Sequence, residues 1–546
     1  MTELATDMCG TTESRLGWKR LGSEDYLLAG LVALFAVLME QLLQVRVDLN
    51  VADEGFLWYG VQRVLAGEVP VRDFQAYEPG RYYLLAGWAR MVQSDGIVAM
   101  RYGLAVLQWA ALFPALLLAL RVLPSRWLLP AFGMLLSLWM APRHNIPDAA
   151  APMWMLYVLA LLIARADRKS HFLAGFAAAA LWFVGINHAL YGVISVGIVV
   201  LAIAWSQKLP RRLLIGWIGW TIAGAALVTL LVLIWLLAAP HFFTGYWKNG
   251  IVRLLENGTT NLTLPIPWPW DVTAAPGIWA ALSAYALSTG FVLFPVAVAI
   301  AFIVLLSPWR LRRMRQYPVA LAAAAATFAW AHHAFSRADL QHLVPSGAPL
   351  VILLVAIPET FSGVWRGFAR AVCWSAVVFV SGFTAANLSP AITACLPYAA
   401  KYQWCVVEGE QLWIPDYARQ DYAAASDVVR RLAPGQAVLF VPYDPVLYAV
   451  FRLRCPIYES YPIFPASQSE QREVVQNLQR PGMDWVLYWP DRVDKRADLG
   501  FDQTDPAAWD YILKNFELVK VVEEARGVRV YHRTPATAPN DRAVDN

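Results

Sequence analysis

The stretch YLLAGLVALFAVLMEQLLQVRVDLNVADEGFLWYG, residues 26–60, decides how the chain is read. It opens on an apolar run of the length a membrane-spanning helix needs, roughly 20 mostly apolar residues. It then turns polar and presents an acidic pair, Asp53–Glu54. The segment ahead of the run, MTELATDMCGTTESRLGWKR, is polar and acidic, and the run is long. We therefore expect a first transmembrane helix and not a cleaved signal peptide.

Composition extends that reading to the whole chain. Of 546 residues, 58% are hydrophobic and 15% charged, and the mean hydropathy is +0.45. Soluble domains average about 25% charged residues. The 44 basic and 40 acidic residues leave +4, too near balance to suggest a nucleic-acid partner. The 25 tryptophans suit a protein with two wet interfaces to anchor. Further apolar runs begin near Ile97, Trp127, Ala149, Phe172, Leu190, Leu213, Gly277, Pro318, Leu343 and Ala371. With the run from Tyr26 they predict a polytopic α-helical membrane protein of about 11 transmembrane helices.

The connections alternate in character. One set is short and basic: Lys19 and Arg20; Arg121 and Arg126; Arg165, Arg168 and Lys169; Lys208, Arg211 and Arg212; Arg310, Arg312, Arg313 and Arg315; Arg366 and Arg370. Positive-inside bias makes that side cytoplasmic. The other set is longer, aromatic and mixed: 46–96, 142–148, the Asn187–His188 turn, 240–276 and 332–342. An odd number of spans from an inside N-terminus puts the remainder outside. The expected division is a cytoplasmic tail (1–25), a transmembrane core (26–388) with its first outer loop at 52–86, and an extracytoplasmic α/β domain (389–546). In a bacterial cell this is a multi-pass protein of the inner (cytoplasmic) membrane with a periplasmic C-terminal domain.

That C-terminal domain has its own signals. DYAAASDVVRRLAP from Asp421 has helical spacing, AVLFVP from Ala437 and DWVLYWPD from Asp484 read as short strands, and FELVKVVEEARGVRVYHR from Phe516 as a hairpin turning near Ala525–Gly527. The five cysteines give no metal spacing. Cys395, Cys405 and Cys455 allow one disulfide if the domain is extracytoplasmic, and the sequence does not choose the pair.

Chemistry-bearing residues gather in the outer set. In the loop 52–86, Asp53–Glu54 precede Leu57, Val61, Val64 and Leu65, spaced as in a helix lying on the membrane surface. Arg72–Asp73 and Glu78-Pro79-Gly80-Arg81 follow, leading into Tyr82–Tyr83. A second cluster is HHAFSRADLQHL from His332, with Arg337, Asp339 and His342; arginine suits phosphate because its planar fork donates two parallel hydrogen bonds. A third is Arg143, His144 and Asp148. Each also has a purely structural use: the acidic pair as helix-end charge, Arg337–Asp339 as an ion pair tying a loop, Asp148 as a helix cap. Glu40 is a costly carboxylate if it lies in lipid, and the helix is expected to be leaving the hydrocarbon there. The aromatic-proline segment PIPWPW, 265–270, suits a stiff wall against sugar or lipid, or an interfacial belt, and the belt is preferred. Asn257-Gly258-Thr259 and Asn261-Leu262-Thr263 match the glycosylation acceptor pattern by chance. The histidines have no spacing that supports a metal site.

The acidic pair after the first helix, the helix behind it, the Pro-Gly-aromatic entry to the next helix, and the many-helix core with a terminal domain together resemble the GT-C superfamily. This includes bacterial protein O-mannosyltransferases and aminoarabinose transferases. The family usually has Pro-Pro-Gly where this chain has Glu78-Pro79-Gly80, so position is carried over and not the motif. Arg337, Asp339 and His342 match an Arg-x-Asp-x-x-His pattern common in bacterial relatives. The resemblance implies an inverting glycosyltransferase. A polyprenyl-phosphate sugar would be the donor, and an extracytoplasmic glycan, lipid or protein the acceptor. It implies Asp53 as general base with Glu54 as alternate or partner, and Arg337 as phosphate ligand, with Asp339, His342, Arg81, Glu78, Arg143 and His144 around the substrate. No cofactor is specified; a divalent metal is allowed. A transporter or flippase is the alternative, but it would place charges and broken helices at the bilayer midplane. A ligase or polymerase of O-antigen type is another, and usually carries its large loop between helices.

Overall fold

The computed structural model describes residues 18, 20–257, 261–272, 277–396 and 401–534. Cys9, Lys19 and part of the Asn257-Gly258-Thr259 triplet lie outside them. In chain order the principal helices are α1 (Ser23–Gln44), α2 (Asp53–Leu65), α3 (Pro79–Val92), α4 (Ile97–Val122), α5 (Leu129–Ser137), α6 (Ile146–Arg165), α7 (Arg168–Ala180), α8 (Ile186–Gln207), α9 (Arg211–Ala238), α10 (Ile278–Leu305), α11 (Pro318–Ser336), α12 (Leu340–Ala356) and α13 (Gly363–Leu388). They are followed by α14 (Asp416–Val429), α15 (Pro445–Val450), α16 (Gln468–Leu478) and α17 (Pro506–Asn515).

Among the described residues, 8 helices are long and apolar enough to cross a membrane: α1, α4, α6, α8, α9, α10, α12 and α13. The chain is a multi-pass membrane protein. The expected count of about 11 is not reached, for physical reasons. The run near Trp127 yields α5, of 9 residues, and the run near Phe172 yields α7, of 13 residues. At 1.5 Å per residue these reach only ~14 and ~20 Å, against a hydrocarbon core of about 30 Å. The run near Pro318 gives α11, of 19 residues, but its last turns carry His332, His333 and Ser336. With 8 such helices the odd-count argument no longer fixes the side of the C-terminal region.

The chain divides into two compact units. The first comprises residues 1–46, 77–244 and 259–399. Its helices pack by close backbone approach where glycine allows it. A Cβ on Gly175 of α7 would lie 1.8 Å from the Thr221 carbonyl of α9, and one on Gly224 2.0 Å from the Phe172 carbonyl. In a membrane, where lipid is as apolar as leucine, such small-residue contacts are a main source of helix association. The C-terminus of α1 is held differently. Arg101 donates to the Val45 carbonyl at 2.8 Å and Arg143 to the Gln44 carbonyl at 2.7 Å, so two cations meet the negative end of one helix. One turn earlier Glu40 accepts from Gln44 Nε2 at 2.6 Å and from Gln108 Nε2 at 2.8 Å. It is therefore still in the helix, and two side-chain amides donate to it.

The second unit comprises residues 47–76, 245–258 and 400–546. Its sheet runs β3 (Ala437–Val441), β4 (Met483–Tyr488), β6 (Val528–Arg533), β5 (Phe516–Val522) in spatial order. The β3–β4 pair is parallel, and the other pairs are antiparallel. A separate hairpin pairs β1 (Tyr402–Val407) with β2 (Glu410–Pro415). The expected helix, two strands and terminal hairpin are all present. The reading of α2 as a membrane-surface helix is corrected: Leu57, Val61 and Val64 are buried within this unit. Gly55 packs so tightly on α15 that a Cβ there would sit 2.5 Å from Val446 N. The Tyr59 hydroxyl accepts from Cys455 N at 3.1 Å. Hydrogen bonds between Gln75 and Tyr461 and an ion pair between Arg253 and Glu459 bind the inserted segments further. Cys395, Cys405 and Cys455 are all unbridged.

Candidate functional site

In the first unit the N-terminal ends of four helices converge with the C-terminal end of α11, and each acidic group there meets a helix start. Glu78, before α3, accepts from Ile186 N at the start of α8 at 2.9 Å. Asp148 stands in the first turn of α6. Asp339 N-caps α12, accepting from His342 N at 2.9 Å. Helix N-termini carry unpaired N–H groups and a positive partial charge, so carboxylates are stable there.

Around Asp148 these groups form one buried chain. Arg81 grips both carboxylate oxygens at 3.1 Å and also donates to the Val184 carbonyl at 2.6 Å. Asp148 holds the Arg81 guanidinium well above its ordinary pKa, against the cost of burial. Burial likewise pushes the Glu78 carboxyl up. His188 Nε2 lies 2.9 Å from Asp148, and Trp330 Nε1 lies 3.0 Å from His188 Nδ1. An indole N–H only donates. Nδ1 is therefore the acceptor, Nε2 carries the proton, and it donates to Asp148. The chain Arg81–Asp148–His188–Trp330 ties α3, α6, α8 and α11 together.

His333 links this chain to a second one. Its ring lies 5.8 Å from that of His188 and 5.2 Å from that of His342, centre to centre. His342 Nδ1 is 2.8 Å from Asp339, and Arg337 Nε donates to Asp339 at 2.8 Å. The pairing with His342 and Arg337 outweighs burial and holds the Asp339 carboxyl below its usual pKa. Arg337 donates as well to the Leu262 carbonyl at 3.1 Å. Arg143 and His144, both buried, precede α6 in a short turn. Its Asn145 donates to the Gln341 carbonyl at 3.3 Å.

The structure thus brings Glu78, Arg81, Asp148, Arg337, Asp339 and His342 into one polar seam, with Arg143 and His144 held in the turn at its edge. Tyr191, whose hydroxyl is 2.8 Å from His332 Nδ1, Trp330 and the bridging position of His333 were not foreseen. The only sequence signal was Trp330 three residues before His333, on one helix face.

Asp53 and Glu54 belong to the second unit. They open α2, and the Asn50 side-chain oxygen accepts from Ala52 N at 3.1 Å and Glu54 N at 3.4 Å beside them. Glu54 is buried, and Asp53 is half-exposed. Elsewhere in this unit Arg526 gathers Asp421, Asp444 and Asp491. Among the described residues no group of three or more His, Cys, Asp or Glu is disposed to hold a metal ion.

No family model matches the sequence, and no curated protein matches it. Solved structures do resemble the chain. The apo oligosaccharyltransferase of Archaeoglobus fulgidus aligns over 95% of this chain and 75% of its own, at 12% identity and a TM-score of 0.44. ArnT from Cupriavidus metallidurans, solved with undecaprenyl phosphate, aligns over 93% and 98%, at 14% identity and a TM-score of 0.42. The Archaeoglobus enzyme tethered to an acceptor peptide aligns over 93% and 74%, at 11% identity and a TM-score of 0.44.

Proposed function

We propose that this protein is an inverting membrane glycosyltransferase. It moves a sugar from a polyprenyl-phosphate donor to a glycan, lipid or protein acceptor on the extracytoplasmic side of a bacterial inner membrane. The observation that carries the reading is Asp53, a half-exposed carboxylate in the first turn of α2. Glu54, buried beside it, is the alternate or partner. In the reaction the acceptor hydroxyl gives its proton to Asp53 as its oxygen bonds to the anomeric carbon. The bond from that carbon to the phosphate oxygen breaks, and the lipid phosphate leaves with the electron pair. Arg337 offsets the charge that develops on the phosphate, and Asp339 and His342 fix its guanidinium. Arg81, Glu78, Asp148 and His188 hold the helix ends, with Arg143 and His144 beside them.

The N-terminus is assigned to the cytoplasm. The recurrence of short basic connections on one side supports a C-terminal region on the other side, outside the cytoplasm.

The test is sugar transfer by the purified protein from radiolabelled polyprenyl-phosphate sugars to a cell-envelope extract. Asp53→Asn is expected to fold normally and lose transfer, and Arg337→Ala to lose it too. Wild-type turnover in Asp53→Asn would remove Asp53 as the base. A protein that translocates the donors without transferring sugar would be a flippase.

A further inference from the structure

The segment 261–272 belongs to the first unit, and the seam described above does not use its aromatic end. Trp268 and Trp270 stack face to face, ring centres 5.3 Å apart and planes 8° from parallel. The outer ring, Trp270, is 73% exposed. Pro265, Pro267 and Pro269 fix φ around the pair. Two backbone hydrogen bonds close the turn, Trp268 N to Ile266 O and Asp271 N to Trp268 O, both 2.9 Å. The base of the segment is bolted to the Arg337 loop. Leu262 O accepts from Arg337, Asn261 Nδ2 donates to Ser336 Oγ at 3.3 Å, and Ile266 packs on the Phe291–Phe294–Leu343 cluster. A rigid, flat indole face therefore stands a few residues outboard of the arginine assigned to the donor phosphate.

We propose that Trp270, backed by Trp268 and flanked by Asp271, is the platform for a pyranose ring of the acceptor. This rests on the transferase reading for its role, though not for the binding itself. The axial C–H face of a pyranose is weakly positive and apolar, matching the negative face of an indole. Asp271 is exposed, so its carboxylate can accept from ring hydroxyls. The same carboxylate argues against acyl chains as the occupant, since a charge one residue from the ring is costly in hydrocarbon. Prestacking of the two rings also removes the ordering cost that a lone, mobile tryptophan would incur on binding.

The binding test needs no turnover. Methyl pyranosides of gluco, manno, galacto and N-acetylgluco configuration are titrated against the full chain in nanodiscs and followed by saturation-transfer NMR. At least one is expected to bind to wild type. Trp270→Ala is expected to weaken it at least ~5-fold, Trp270→Phe to recover part, and Trp279→Ala, at another exposed indole, to change nothing. No binding by any glycoside, or equal loss in Trp279→Ala, overturns the proposal. So does quenching by brominated acyl chains that is smaller in Trp270→Ala than in wild type, which would make the stack a membrane anchor. If transfer is also established, Trp270→Ala should raise the KM for acceptor and leave that for donor unchanged. Sugar binding without transfer would leave the platform standing and reject the enzyme reading.

Discussion

Replacing Asp148 by alanine isolates what the buried chain contributes. Arg81 is 6% exposed and Asp148 8%. Removing the carboxylate strands a guanidinium that has two of its bonds there, and it leaves the His188 N–H without an acceptor. Deleting one partner of a buried pair costs about 3–5 kcal/mol, because the other charge stays desolvated. The His188 donor adds about 1–3 kcal/mol. The expected loss of ~4–8 kcal/mol is comparable to the whole stability of a typical domain. Asp148→Ala is therefore expected to express poorly or to unfold at a sharply lower temperature in detergent. The companion variant Arg81→Met with Asp148→Leu removes both charges and should recover most of the loss, since apolar replacement of a buried pair is often neutral. Thermal unfolding by intrinsic fluorescence reads both. A single variant as stable as wild type, or a double variant as unstable as the single, would refute the assignment of this pair as the clamp on α3 and α6.

Gly175→Val should prevent assembly of α7 on α9, because the new side chain meets the Thr221 backbone and not a movable group; the check is monodisperse yield in size exclusion. Gly55→Ala should cost about 1–3 kcal/mol by overpacking α2 against α15, read as a lower unfolding midpoint. Burial, opposed by Arg253, pushes the Glu459 carboxyl up to about 7 from 4.5. Between those values the native protein holds a proton that the unfolded chain releases. The group's contribution to stability therefore falls as pH rises through the window and levels off above about 7. Glu459→Gln should remove that downward component from the midpoint measured between pH 5 and 7.

The membrane character and the C-terminal elements were legible because both rest on local pattern. A run of apolar residues, or an alternating strand such as AVLFVP, does not depend on distant partners. The runs that became α5, α7 and α11 were harder, because an apolar run does not say where its helix will stop or which polar groups its end will carry. The site was legible as a set of residues and not as a network. Glu78, Arg81, Arg337, Asp339 and His342 were named from their loops, but nothing in sequence pairs Arg81 with Asp148, 67 positions away. Nor does it say that the Asn50 side chain reaches the backbone at the start of α2. The burial of α2 was misread because amphipathic spacing does not tell a lipid surface from a protein one.

The orientation of His188 has one more consequence. Its acceptor nitrogen faces a donor that cannot reverse, and its proton points at a carboxylate already satisfied by Arg81. A relay needs each member able to receive on one side and release on the other. This imidazole cannot, so the seam between Arg81 and Trp330 is an electrical insulator for protons. A proton delivered at one end of this run is not handed along it to the other.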